Sequence, residues 1–226
     1  MVYSDSRRNH QKSIFLVLIF SLTFLLTNYP ACLQTAPRPA NWAQPIKLNG
    51  VPKLHKVSDS LYRSAQPTAT GFQQLEKFGI KTIIDLTGAH RDPKLMAGTK
   101  LKYYDIPSKA SEVQEGDLLQ FLKIVTNPAE APYLVHCHHG ADRTGLFVAV
   151  YRIIIQNWPK QEAILEMQKG GFGFHNTYTN IVKYLLHFDP EKFRQALKTT
   201  PGGKSLVSGF NQSALQDRFI RSPIFS

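Results

Sequence analysis

A chain of 226 residues with a hydrophobic fraction of 42% can bury one core of ordinary size and is short for two. Its ordinary contents of glycine, proline and charged residues exclude a chain that is disordered throughout. The formal net charge of +11 favours anionic partners, such as phosphorylated molecules, anionic lipid or nucleic acid, although a solvated basic surface without a partner has the same composition.

The first thirty residues have the pattern of an export signal. Arg7, Arg8 and Lys12 precede residues 14–26, a run that is almost entirely apolar. The run is shorter than the roughly 20 residues that a membrane-spanning helix usually needs, and a basic segment before a short apolar one is typical of secretory signals. We therefore predict that residues 1–31 are a signal peptide, with an uncleaved membrane anchor as the alternative.

Two cysteines occur in the chain, Cys32 and Cys137. Exported proteins normally pair their cysteines in disulfides. Two cysteines allow at most one such bridge. A core cysteine that stays unpaired in an oxidising compartment is a candidate reactive thiol. Cys137 is that candidate, because it lies within the regular part of the chain.

Composition divides the rest of the chain into three parts. Residues 32–50 are rich in proline and poor in periodic apolar positions, which is typical of a linker. Regular hydrophobic patterns continue over residues 51–198 and predict one folded domain. After Pro201 this periodicity is lost, so residues 199–226 are interpreted as a tail.

Predicted strands and helices alternate along the domain. Short apolar runs predict strands at 61–63, 81–86, 101–106 and 133–136. Apolar residues at helical spacing, with Thr68 or Thr70 as the first cap, predict helices that end at Gly79, before Pro128, near Ile155, at Gly170 and near Phe188. The alternation predicts an α/β fold, a three-layer sandwich with a central, mostly parallel sheet of four to five strands flanked by helices.

One segment, His136 to Gly145, combines the residue types of an anion site with a nucleophile. Its sequence is His-Cys-His-His-Gly-Ala-Asp-Arg-Thr-Gly, between a predicted strand and a long apolar helix. A tight loop there can turn backbone N–H groups inward and stabilise a thiolate at Cys137. The planar guanidinium of Arg143 can bind two oxygens of a phosphate. The segment predicts a phosphate monoester site that needs no metal and no cofactor.

The same segment resembles the His-Cys-x5-Arg-Thr/Ser signature of the protein tyrosine phosphatase superfamily, in a short domain similar to its dual-specificity branch. Three further stretches, 61–67, 79–84 and 170–175, resemble a bacterial subgroup of that branch. The resemblance covers residues 55–190. It implies a dual-specificity phosphatase-like fold and hydrolysis of phosphotyrosine, and of phosphoserine or phosphothreonine, through a phosphocysteine.

The resemblance also implies roles for the residues that match the signature. Cys137 would attack phosphorus, Arg143 would bind the equatorial oxygens, and Thr144 would hydrogen-bond the departing sulfur. His136 would orient the loop and tune the thiolate. Backbone N–H groups would cradle the phosphate from His138, His139, Gly140 and Ala141.

The general acid, which protonates the leaving alcohol, stays open. The family usually supplies an Asp from an upstream loop, but residues 107–112 contain none. Candidates are Asp142 inside the loop, Asp105 at a strand end, and Glu112. Asp142 is favoured by its proximity to the phosphate site, and its position resembles that of a proposed acid in lipid and inositide phosphatases of the superfamily. Alternatively, Asp142 pairs with Arg143 or with a loop N–H group.

Other functions fit parts of the pattern. An inositide or inositol-phosphate phosphatase is the main alternative, although the loop lysine common in lipid-specific members is replaced here by His138 and Ala141. A non-catalytic phosphate-binding module would lack the nucleophile or the arginine, and neither is missing. A zinc site of the loop histidines with Cys137 is disfavoured, because adjacent ligands in one tight loop cannot easily face one ion.

The expected partner is a phosphorylated protein or small molecule, and no nucleic acid is expected. Residues 171–176 would cross the mouth of the site if the family layout holds, with His175 or Asn176 positioning the hydrolytic water; alternatively they only end a helix and pack phenylalanines. The turn at residues 90–92 is interpreted as solvated. Together with the export signal, the pattern predicts a bacterial periplasmic enzyme, or one anchored to the membrane and facing the periplasm.

Overall fold

The computed structural model describes residues 38–199. The predicted signal or anchor segment, Cys32 and the tail beyond residue 199 lie outside this range. Within the range, none of the helices combines the length and the apolar character that a membrane span requires.

The core of the fold is one mixed sheet of six strands in the order β1-β2-β3-β6-β4-β5. The strands are β1 (Gln44–Pro45), β2 (His55–Lys56), β3 (Leu61–Ala65), β4 (Thr82–Asp85), β5 (Lys102–Asp105) and β6 (Tyr133–Cys137). β3, β6, β4 and β5 are parallel, whereas β1 and β2 form an antiparallel extension beside β3. The predicted α/β fold with a mostly parallel sheet is confirmed, with six strands in place of four to five.

Helices cover both faces of this sheet, which makes the three predicted layers. In the described range they are α1 (Ala69–Phe78), α2 (Asp92–Leu95), α3 (Glu115–Val125), α4 (Asp142–Ile154), α5 (Lys160–Lys169), α6 (Thr179–His187) and α7 (Pro190–Lys198). A large apolar cluster lies on the face of α4, and a smaller one lies on the face of α1. Nearly every residue of α4 is buried, as its continuous apolar sequence predicts.

Short-range signals decide where α1 begins and ends. The Thr68 side chain accepts a hydrogen bond from the backbone N–H of Gly71, so Thr68 is the predicted N-cap. Gly79 ends the helix at φ +102°, a left-handed conformation that glycine adopts without steric cost. The helix therefore ends just before β4, which lies within the strand predicted at 81–86.

The predicted linker differs from the structure in its described part. Residues 44–45 form β1, and Ala43 is fully buried with its backbone N–H donating to the carboxylate of Glu166. Glu166 is itself buried and binds the guanidinium of Arg152 through both oxygens, at 2.7 and 2.6 Å. The segment is ordered by these long-range contacts, which a proline-rich local pattern does not reveal.

A further helix follows the one predicted to be last. The pattern at 181–188 corresponds to α6, and α7 starts directly afterwards at Pro190. The Asp189 side chain caps α7 by accepting from two backbone N–H groups, and Phe193 anchors it in the core. A single buried residue gives too weak a period for sequence analysis to separate this helix from the tail.

Candidate active site

The sequence from Cys137 to Arg143 forms a tight loop, here called the Cys137 loop, between the end of β6 and the first turn of α4. Cys137 is the last residue of β6 and is 2% exposed. Gly140 has φ +64°, and a Cβ at this position would lie 2.5 Å from the carbonyl oxygen of Ser64. The loop can therefore pass β3 this closely only with glycine at residue 140.

Three consecutive carbonyl oxygens of the loop are bound from outside. The Gly140 oxygen accepts from Arg63 Nη2 at 2.9 Å, and the His139 oxygen accepts from Lys53 Nζ at 3.1 Å. The His138 oxygen accepts from the backbone N–H of Gln66 at 3.3 Å. Because the C=O and the following N–H of a trans peptide point in opposite directions, the N–H groups of residues 139–141 face the inner side, as an anion-binding nest requires.

Arg63 is the central anchor of this arrangement. Its side chain is 1% exposed, and its guanidinium carbon lies 3.6 Å from the centroid of the Phe172 ring. The Phe172 carbonyl oxygen accepts a second bond from Lys53 Nζ at 3.1 Å. Residues 170–176, which follow α5, are thereby joined to the same basic side chains that hold the Cys137 loop.

His136 is buried directly behind the nucleophile. Its Nε2 lies 2.7 Å from Asp92 Oδ2, and Asp92 Oδ1 accepts from Gln66 Nε2 at 2.7 Å. The expectation of a solvated turn at residues 90–92 is wrong for Asp92, which is fully buried because α2 starts there and turns its first side chain toward the sheet. Sequence analysis missed this partner of His136, since no local pattern joins residues that are 44 positions apart.

Arg143 is oriented by the ends of two strands. Its Nη1 donates to the carbonyl oxygen of Leu86 at 3.0 Å and to that of Ser108 at 3.3 Å, just after β4 and β5. The Ser108 hydroxyl in turn donates to Asp117 Oδ2 at 2.7 Å, which ties this loop to α3. Since both recorded bonds use Nη1, the guanidinium retains Nε and Nη2 as the pair of donors that a phosphate needs.

Asp142 lies inside the Cys137 loop and is bound by a residue from after α5. Its Oδ1 accepts from the backbone N–H of His175, and its Oδ2 lies 2.8 Å from His175 Nδ1. The side chain of Asp142 is 9% exposed, whereas that of His175 is 53% exposed. The predicted alternative of a pair with a loop N–H or Arg143 is replaced by this pair with His175.

Asp105, the second candidate acid, lies on the other face of the sheet from Cys137. β4 pairs in register with both neighbours, so Asp85 lies between Asp105 and His136. Paired residues of parallel strands share a face and successive side chains alternate, so Asp105 lies on the face of His136. Burial, and next the negative charge of Asp85, raise the pKa of Asp105, although its Oδ2 lies 2.9 Å from His90 Nδ1.

Glu112 and Thr144 complete the predicted set. Glu112 is exposed at the turn after β5, where its Oε1 accepts from Gln114 Nε2 at 2.6 Å. Thr144 is buried, and its hydroxyl has no hydrogen-bond partner among the described residues, so the expected bond to the Cys137 sulfur is not formed. His138 and His139 are exposed, with ring centroids 4.6 Å apart, and Ala141 is buried.

Among the described residues, one group has the spacing of metal ligands, namely Asp85, Asp92 and His136. It does not include Cys137 or the exposed loop histidines of the zinc alternative. The oxygens of Asp85 already accept from the backbone and hydroxyl of Thr87, and those of Asp92 also have protein donors. The carboxylate oxygens that could bind a metal are therefore already hydrogen-bonded within the protein.

Comparison with known proteins places these residues in a family. Residues 52–203 match the model of the tyrosine phosphatase family. The dual specificity protein phosphatase TpbA of Pseudomonas aeruginosa is 34% identical over 170 residues, which cover 74% of this chain and 76% of that protein. The inositol diphosphatase SIW14 of Saccharomyces cerevisiae is 32% identical over 118 residues, which cover 45% of this chain and 39% of that protein.

Solved structures agree with the sequence comparison. The crystal structure of Pseudomonas aeruginosa TpbA, as a cysteine-to-serine variant in complex with pTyr, matches with a TM-score of 0.65 and 32% identity, covering 72% of this chain and 99% of that one. The catalytic domain of SIW14 from Saccharomyces cerevisiae, in complex with citrate, matches with a TM-score of 0.57 and 23% identity and shares the fold.

The raised pKa of Asp105 predicts a pH-dependent effect on stability. An acid whose pKa is higher in the folded state stabilises the fold below its unfolded value of 3.8, and this contribution is lost as pH rises through the folded pKa. We expect Asp105→Asn to raise the Tm relative to the unaltered protein more at pH 7 than at pH 3. Thermal unfolding followed by circular dichroism at both pH values measures the difference.

Asp59→Asn is the matched control. Asp59 is 97% exposed and its pKa is lowered by its hydrogen bond to Lys56, so its small contribution has the opposite sign and is present at neutral pH. We expect no gain in Tm at pH 7 for this variant. An Asp105→Asn variant that is less stable at pH 7 than at pH 3, relative to the unaltered protein, would contradict the assigned burial of this carboxyl.

Proposed function

Because this chain belongs to the tyrosine phosphatase family, we propose that it dephosphorylates exported proteins, hydrolysing phosphotyrosine and also phosphoserine or phosphothreonine. It is a cysteine-dependent phosphatase. The observation that carries the proposed mechanism is the Cys137 loop, with a cysteine at its start, N–H groups on its inner side and an oriented arginine at its end.

In the first step, the Cys137 sulfur attacks phosphorus and the bond from phosphorus to the substrate oxygen breaks. Backbone N–H groups and the positive end of α4 stabilise the thiolate before attack. The same N–H groups bind the phosphate oxygens. These N–H groups are oriented before the reaction, because the loop carbonyls are already held from outside.

Arg143 binds two oxygens of the phosphate during this step. Its guanidinium is held at Nη1 by the carbonyl oxygens after β4 and β5. The remaining donors, Nε and Nη2, are therefore already oriented for the phosphate when it binds. Such preorganisation favours the transition state, because little side-chain freedom is lost when the phosphate binds.

In the second step, water attacks the phosphocysteine, inorganic phosphate forms and the sulfur leaves as a thiolate. A hydrogen bond to the departing sulfur would assist this step. The buried hydroxyl of Thr144 has no hydrogen-bond partner among the described residues, and a buried polar group without a partner calls for one. The bond is absent from the structure, and in the proposed mechanism it forms to the thiolate as the sulfur leaves.

A phosphatase of inositol phosphates is the second candidate. Asp142 in the Cys137 loop and the similarity to an inositol diphosphatase support it. TpbA supports the protein phosphatase more strongly, because its alignment covers 74% of this chain against 45% for SIW14, and because TpbA was solved in complex with pTyr.

The proposed place of action is the bacterial periplasm, or the membrane surface that faces it. The proposal is supported by Arg7, Arg8 and Lys12 before the apolar run at 14–26. In the described range the domain has one cysteine, Cys137, which is free and buried, so no disulfide can form within that range in an oxidising compartment.

Substitution of the two central residues tests the mechanism. We expect Cys137→Ser to lower kcat on a phosphotyrosine peptide by at least about 1000-fold, because the nucleophile is lost. Arg143→Lys keeps the charge but not the bidentate geometry, and we expect a loss of about 100-fold or more in kcat/KM. Arg91→Lys, at an exposed arginine of the neighbouring turn, is expected to leave activity unchanged.

Competing substrates separate the two candidate functions. We expect kcat/KM for phosphotyrosine peptides to exceed that for inositol phosphates and inositol diphosphates by at least about tenfold. Release of phosphate from each substrate by the purified domain measures the ratio. The inverse preference would replace the protein phosphatase with the inositol-phosphate enzyme and leave the cysteine mechanism intact.

The export proposal is tested on the full chain expressed in a Gram-negative bacterium. We expect the protein in the periplasmic or membrane fraction, with a mature N-terminus near residue 32 if the signal is cleaved. Substituting the basic residues Arg7, Arg8 and Lys12 with Glu is expected to retain the protein in the cytoplasm. Full-length protein found only in the cytoplasm would contradict export.

A further inference from the structure

Both carboxylate oxygens of Asp142 are occupied by His175. Oδ1 accepts the backbone N–H and Oδ2 faces ring Nδ1, each at 2.8 Å. The carboxyl group is 9% exposed and both of its oxygens are engaged by one residue. Asp142 is therefore placed to orient the imidazole of His175 rather than to deliver a proton itself.

The contact defines the orientation of the His175 ring. With its proton on Nδ1 directed at Asp142, the ring presents Nε2 on its opposite edge. The backbone bond from the same residue fixes the main chain, so the ring is held at two points. This is the arrangement by which a carboxylate fixes the tautomer and direction of a histidine that handles protons.

The ring also lies beside the Cys137 loop and is open to solvent. Its centroid is 5.9 Å from that of His139, a residue of the loop, and 6.4 Å from that of Tyr178, and 53% of the side chain is exposed. In an in-line displacement, the leaving oxygen lies opposite the attacking sulfur and therefore points out of the loop. An imidazole that is exposed and packed beside the loop can approach that oxygen.

We propose that His175 is the general acid and base of the reaction and that Asp142 is its positioning residue. The proposal rests on the proposed function, because it assigns a proton carrier to the same phosphoryl transfer. Of the other acids considered, Asp105 lies on the far face of the sheet. Glu112 is exposed at its turn. A further carboxylate, Asp117, accepts from the Ser108 hydroxyl.

The proton balance closes over the two steps. In the first, the bond from Cys137 Sγ to phosphorus forms, the bond from phosphorus to the tyrosyl oxygen breaks, and the Nε2 proton of cationic His175 moves to that oxygen. In the second, neutral His175 Nε2 takes a proton from the attacking water as the new P–O bond forms. The sulfur leaves as a thiolate, and the enzyme returns to its starting protonation state.

The charged and titratable neighbours of His175 come from three elements. Asp142 faces it from the first turn of α4, His139 from the Cys137 loop, and Tyr178 from the residue before α6. Lys53 adds a cation near the loop through its bond to the His139 carbonyl oxygen. Replacing His175 should therefore change the pH dependence of kcat/KM, and Asp142→Asn is the control for the carboxylate that contacts the ring.

The test uses His175→Asn in the full chain, with His175→Gln as a second variant. Asparagine Nδ2 occupies nearly the position of histidine Nδ1, so the bond to Asp142 is kept while the Nε2 proton is removed. We expect kcat/KM for phenyl phosphate, a poor leaving group, to fall by about 100-fold, because kcat/KM reports on the step in which the leaving oxygen is protonated. With dinitrophenyl phosphate, whose leaving group needs no proton, we expect less than about a threefold change in kcat/KM. We expect kcat/KM of the unaltered protein for phenyl phosphate to fall at alkaline pH, and this fall to be absent from His175→Asn.

Controls separate catalysis from folding and from the mechanism as a whole. Equal losses on both substrates would mean that His175 only supports the loop and would overturn the proposal, and so would no loss on phenyl phosphate. If His175→Asn does not fold by circular dichroism, His175→Gln and Asp142→Asn carry the same comparison. A loss that depends on the leaving group in Glu112→Gln or Asp117→Asn, and not in the His175 variants, would assign the acid elsewhere. Full activity of Cys137→Ser would instead refute the proposed function.

Discussion

The direction of the inner N–H groups of the Cys137 loop depends on the hydrogen bonds that hold the loop carbonyls. Each carbonyl of residues 138–140 is bound from outside, two of them by the basic side chains of Lys53 and Arg63. Arg63 is buried, so its charge is compensated by the carbonyl oxygen and the face of Phe172. Without these donors the peptide units could rotate, and an anion would have to order them at its own cost in binding free energy.

The same constraint connects the parts of the site. The carboxyl ends of the parallel strands meet at one edge, where β4 and β5 supply the carbonyl oxygens that orient Arg143. Residues after α5 contact the Cys137 loop and its anchors through Phe172 and His175. The segment that follows α5 therefore forms part of the site. Behind the loop, His136 and Asp92 fill the face of the sheet opposite Cys137 with a closed polar pair. The loss of any one of these contacts is expected to weaken phosphate binding.

Sequence patterns predicted the parallel strands, the helices α1 and α3 to α6 and the cysteine–arginine loop, because each depends on periodicity or spacing within a few residues. They did not reveal the roles of Asp92 or Lys53, which act across 44 and 86 positions. The strand extension β1–β2 and α7 were missed because tertiary contacts order short, weakly periodic segments. The pairing of Asp142 with His175, on which the proposed roles in proton transfer rest, also became visible only when distant parts of the chain were brought together.

A phosphorylated intermediate on Cys137 is the most direct test of the account. Rapid acid quenching during turnover of a phosphotyrosine peptide, followed by mass spectrometry of the peptide that contains residues 137–143, should find phosphate on the Cys137 sulfur. Arg143→Lys should lower its rate of formation, and Cys137→Ser should abolish it. Phosphate release at the normal rate with no modified Cys137, or with the phosphate on a loop histidine, would contradict the assignment of Cys137 as nucleophile.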